Sequence, residues 1–150
     1  MYRATLTADL KSESHPDLCF ATTEDAALGY LMGPSHTAKL VEGFMHVARV
    51  TDWSKIADWS EACEAWAAAE LTVSDDVPPM CYADRAEYRE ALAAAGFEGM
   101  IYDDAGPCNG YEHETIRVWG ATCWTLARTE AHGWRSMAAD GACRTESCPR

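Results

Sequence analysis

The stretch "GFEGMIYDDAGPCNGYEHETIRVWG", residues 96–120, decides the fold. "FEGMIYDD" and "ETIRVWG" each gather aromatic, β-branched and apolar residues over a strand's length. "AGPCNG" between them is made of turn formers, so two strands joined by a loop are predicted. Glu112 and Glu114 stand one residue apart at the start of the second strand. On a strand of period two they point to one side and repel each other, while His113 points away and receives no role.

Upstream, "DRAEYREALAAAG" reads as an Ala-rich helix with Asp84 as N-cap, Glu87 as its capping-box partner and Gly96 as stop. "SEACEAWAAAEL" (60–71) reads as another, with Ser60 as N-cap. "DDVPP" separates the two. "GFMHVARVTDW" (43–53) alternates as a strand does, and His46 among its apolar neighbours reads as a core histidine. "YRATL" (2–6) and "HPDLCFATT" (15–23) are two further strands. The second leads into the helix "TEDAALGYLMG", which carries Glu24 and Asp25 in its first turn and a Gly33-Pro34 stop. "ATCWTLARTEAHGW" after Gly120 fits either strand or helix, and the last fifteen residues read as a tail. Few helices, short strands and unequal connections predict an α+β fold rather than a βαβ series.

At 150 residues the chain has the length of a single domain, with six Trp, six Tyr and three Phe for its core. Acidic residues outnumber basic ones 24 to 12, a net charge of −12, which opposes binding to nucleic acid and to anionic membrane and attracts basic partners. No apolar run reaches the length of a membrane span, and "MYRATLTADL" lacks the order of a secretory signal, so a cytoplasmic location is expected. Seven cysteines without a CxxC pair read as mostly reduced. Cys143 and Cys148 could form a disulfide or, with His132, half a metal site. The acids of "YDDAGPCNGYEHE" do not follow the EF-hand spacing, and no metal is expected. Phosphate-loop, GxGxxG, HExxH and nucleophile-elbow signatures are absent from the sequence.

Four pieces remain in order: Arg3 on the first strand, "FATTEDAALGY", "GFEGMIYDD" and "YEHETIRVW". In that order they resemble the ADP-ribosyltransferase family. There an Arg on an early strand, a Ser/Thr-rich strand entering a helix and a Glu opening a late strand form one NAD pocket. "MHVARVTDWSKI" is similar to the family's middle strand. The resemblance covers residues 2 to about 119 and implies a split β-sheet core with flanking helices, leaving 121–150 as an extension. It departs from the family in having Thr22-Thr23 where many members have Ser-Thr-Ser.

The resemblance implies a mono-ADP-ribosyltransferase that moves ADP-ribose from NAD to a protein side chain, arginine favoured. Glu114 would stabilise the charged ribose of the transition state, as glycosidase carboxylates do. Glu112, in an E-x-E arrangement, would present a cationic acceptor. Arg3 would hold the dinucleotide's phosphates or ribose, with Thr22 and Thr23 supporting the pocket and Phe20 and Tyr30 packing against nicotinamide. Such a domain fits an effector of a phage or toxin system in a host-cell cytosol. Two other readings compete. One is a non-enzymatic acidic module that inhibits a partner by occupying its basic, nucleic-acid-binding surface through charge mimicry, and the other is an NAD glycohydrolase in which water replaces the acceptor.

Overall fold

The structure is a computed structural model that describes residues 1–6, 8–10, 17–32, 40–104 and 113–135. The strands are β1 (Tyr2–Thr5), β2 (Leu18–Ala21), β3 (Leu40–Val50), β4 (Ile56–Ala57), β5 (Gly99–Asp104), β6 (His113–Val118) and β7 (Trp124–Arg135). The helices are α1 (Glu24–Met32), α2 (Trp59–Ala68), α3 (Pro79–Ala83) and α4 (Ala86–Ala94). The strands form one seven-stranded sheet in the order β4-β5-β6-β2-β1-β3-β7. Neighbours are antiparallel except β4 and β5, which are parallel. The fold is α+β, as expected.

Chain length forces this sheet to curl. β3 and β4 lie five strand spacings apart in the order, about 24 Å across a flat sheet. The chain from Val50 to Ile56 spans about 21 Å at full stretch, and part of it is a tight 3₁₀ turn, Trp53–Lys55. A flat sheet cannot be bridged by that segment. The two ends therefore approach, and Ile56 packs in one buried cluster with Ala48, Phe20, Ile116 and Val118 on the inner face.

The outer face carries the helices. α1 covers Ala21 and Met45 through Ala26 and Ala27. α2, α3 and α4 cover Ala57, Met100 and Tyr102 with an aromatic group of Trp66, Tyr82 and Tyr88. Ring centroids there stand 5.0 to 5.6 Å apart, and the Trp66 indole N–H donates to the Tyr88 carbonyl at 2.9 Å. An aromatic pair adds about 1 kcal/mol beyond its burial, so this group anchors the helical layer.

Two predicted caps are corrected. α2 starts earlier than expected, capped by Asp58 instead of Ser60, with a reciprocal capping box between Asp58 and Glu61. α4 has Arg85 at its N-cap position and no side-chain cap, because the Asp84 carboxylate is drawn to Arg117. Gly96 ends α4 at φ +97°, a conformation that favours glycine. Gly99 serves a different need. A Cβ there would lie 2.7 Å from the Arg117 carbonyl oxygen and 2.8 Å from Ile56 Cδ1, so glycine lets β4, β5 and β6 close up.

The segment after Gly120, open to two readings in the sequence, is strand β7. It pairs with β3 from Leu40↔Arg135 to Val50↔Trp124. The sheet thus extends past the 2–120 core expected from sequence. Cys143, Cys148 and the 136–150 tail lie outside the described residues.

Candidate active site

Register places the family-like pieces on neighbouring strands. Tyr2 opposes Ala21, Ala21 opposes Thr115, and Thr115 opposes Tyr102. These residues face outward, toward the helices. Alternation then turns Arg3, Phe20, Thr22, Glu114 and Asp103 to the inner face of β1, β2, β6 and β5.

At the rim, the Thr22 backbone N–H donates to the Glu114 carbonyl at 3.1 Å. The Thr22 hydroxyl donates to the same oxygen at 3.3 Å, across 92 residues of sequence. Both bonds hold the backbone of Glu114, and its side chain is exposed. Directly across from Glu114 stands Asp103, also exposed. Two like charges facing each other across strands cost up to about 1 kcal/mol. Among the described residues no ion pair joins either carboxylate to a cation.

Arg3 lies deeper on the same face, half-buried, with Nη1 donating to the Cys19 carbonyl at 3.0 Å. Beside it on β3, His46 is fully buried. Its Nε2 bonds the Thr5 hydroxyl at 2.8 Å and its Nδ1 the Thr129 hydroxyl at 2.9 Å. With both ring nitrogens engaged, His46 tethers β1, β3 and β7 as a satisfied core histidine.

The other sequence candidates divide. The Thr23 hydroxyl accepts from the Ala26 N–H at 3.3 Å and caps α1. Phe20, expected against nicotinamide, is instead a core residue at 1% exposure, its ring centroid 5.4 Å from that of Trp124. The curl of the sheet encloses it. Tyr30 belongs to α1, but its side chain, like the whole of Glu112, lies outside the described residues. In the sequence Asp103 stands out only as one of the acids of "YDDAGPCNGYEHE", weighed as a cation ligand and not as a partner of Glu114. Its place opposite Glu114 depends on β5–β6 register, which the long connection 105–112 leaves open in the sequence.

Behind β6, on the outer face, Arg117 anchors an ion network. Its Nε and Nη2 donate to Asp17 Oδ2 at 3.1 and 2.9 Å, and its Nη1 bonds Asp84 Oδ1 at 2.5 Å. Arg89 adds a contact to Asp17 at 3.4 Å. Burial alone would weaken the proton on Arg117, but the carboxylates of Asp84 and Asp17 raise its pKa. Thiol chemistry is disfavoured at Cys19, Cys63 and Cys123, where burial pushes each thiol above its ordinary value.

No family model, no curated protein and no solved structure matches the chain.

The site's own residues define its chemistry. It offers an exposed carboxylate on a fixed backbone, a second carboxylate facing it, a threonine hydroxyl at the rim and a guanidinium deeper on the same face. That set can stabilise a developing positive charge and orient a cationic or phosphorylated ligand. Among the described residues no three of His, Cys, Asp and Glu converge as a metal site would. None of the described helices is long and apolar enough to cross a membrane.

Proposed function

We propose that the chain is a mono-ADP-ribosyltransferase that transfers ADP-ribose from NAD to a protein side chain, with arginine as the favoured acceptor. The observation that carries this reading is the pair of bonds from Thr22 to the Glu114 carbonyl. They join two family-like blocks far apart in the sequence, and Arg3 faces the same side on the next strand.

In this reading Glu114 is the catalytic carboxylate. As the bond from ribose C1′ to the nicotinamide nitrogen breaks, its electron pair leaves with neutral nicotinamide and positive charge builds on the ribose. The Glu114 carboxylate stabilises that charge. An acceptor guanidinium nitrogen then bonds C1′ and loses a proton to a nearby carboxylate, the role assigned to Glu112 by resemblance. Arg3 serves the phosphates or adenosine ribose. Thr22 acts as a positioning residue, because its bonds hold the backbone that carries Glu114.

The test is transfer of label from radiolabelled NAD to an arginine-rich acceptor protein by wild type and by Glu114→Gln. Loss of transfer in a variant with an unchanged circular-dichroism spectrum is expected. Full transfer by Glu114→Gln removes the assignment. Release of nicotinamide without labelled product would instead identify a glycohydrolase.

A further inference from the structure

A cleft of about 430 Å³ opens beside the rim, between the start of α2, the 74–80 segment and the end of β5. Its apolar surface comes from Trp59, Val77, Pro79 and Met80. Around this surface stand Asp75, Asp76, Asp103 and Asp104, and no basic residue lines it. Asp75, Asp76 and Asp103 are exposed, whereas Asp104 is buried and accepts from the Thr115 hydroxyl at 3.3 Å.

An apolar floor under a ring of acids suits a ligand with an aliphatic stem and a cationic head. Lysine and arginine side chains have that form, and arginine stacks on indole as well. Anionic ligands are repelled, and a purely apolar ligand would leave the acids unused. Among the described residues the acids do not converge as a metal site would, which favours a spread-out organic cation over a metal ion.

We propose that this cleft docks an arginine- or lysine-bearing segment of a protein partner. The segment's alkyl stem lies on Trp59, Val77 and Met80, and its charge meets Asp75, Asp76 and Asp103. Asp103 also faces Glu114, so the docked segment presents neighbouring residues to the rim. The inference stands on the cleft and does not require NAD. It applies to an enzyme's substrate and to a pure binder's partner alike.

The test is fluorescence anisotropy of a labelled (Gly-Arg)₄ peptide, without NAD and at moderate salt. Saturable binding is expected, with loss of binding when citrulline replaces arginine. Asp75→Asn with Asp76→Asn should weaken binding about tenfold, as two lost exposed ion pairs allow. Glu87→Gln with Glu90→Gln, which removes equal charge from the exposed side of α4, should change it less than about twofold by the same reasoning. Val77→Ser should weaken binding without altering charge. Equal weakening by the two double variants would reduce the effect to bulk charge and overturn the proposal. Failure of the peptide to bind would do the same, as would its displacement by calcium that saturates a site dependent on Asp75 and Asp76.

Discussion

Arg117 and Glu114 sit on the same strand, on opposite faces of the sheet, and their charges are handled in opposite ways. On the outer face Arg117 is enclosed by Asp17 and Asp84, with side-chain exposures of 12% for Arg117 and 6% for Asp17. On the inner rim Glu114 and Asp103 face each other in solvent with no described cation between them. The first arrangement serves the fold, since a buried ion must be paired. The second costs the fold a little, and a cationic ligand or transition state between the two acids would offset it.

The largest expected effect breaks the first region. Arg117→Met leaves the buried Asp17 carboxylate with only the longer 3.4 Å contact to Arg89 and should lower unfolding free energy by about 3 kcal/mol in urea titration. The aromatic group beneath the helices gains nothing from that change. An unchanged midpoint would mean the network is dispensable.

Next comes Glu114→Gln. Transfer should fall by about two to three orders of magnitude, as loss of a group that stabilises transition-state charge does. Stability should hold or rise, because a repulsion is removed. Loss of folding would instead make Glu114 structural and erase the contrast with Arg117.

Asp103→Asn sharpens the comparison at smaller scale. It should stabilise the fold by a few tenths of a kcal/mol, the size of a cross-strand like-charge pair. In a double-mutant cycle with Glu114→Gln, the second substitution should then add almost nothing. Full additivity would show that the two carboxylates do not sense each other.

The smallest effect belongs to a third pair, half-buried and compensated. Lys55 Nζ bonds Glu98 Oε1 at 2.6 Å, and together with the Thr122 hydroxyl and backbone N–H it holds the Glu98 carboxyl down to about 2. A lowered folded-state pKa stabilises the protein above the ordinary value of 4.5, and that contribution fades as pH falls toward 2. Glu98→Gln should flatten the acid limb of stability against pH between those values. An unchanged limb would mean the contact is not kept in solution.

Much of this architecture was legible in the sequence because hydrophobic pattern and stop signals are local. The strands read from residues 2–6, 43–53 and 96–120 are present, as is the helix opening at Glu24. The spacing Asp58…Glu61 was a readable capping signal, passed over in favour of Ser60. The Asp84 cap failed for a tertiary reason, since a partly buried guanidinium attracts that carboxylate more strongly than a helix end does. β7 took its identity from pairing with β3, a partner more than eighty residues away in places. At the site, Arg3, Thr22 and Glu114 could be named from sequence order. The facing of Asp103 to Glu114 and the loss of Phe20 to the core depend on register and sheet curl, which no local pattern encodes.

The most direct measurement is an isothermal calorimetric titration of the wild-type chain with NAD. Saturable heat is expected, weakened by Arg3→Lys, which keeps the charge but loses the guanidinium fork. A flat titration of folded protein would contradict an NAD site on this face and leave the paired acids of Asp103 and Glu114 to a protein partner alone.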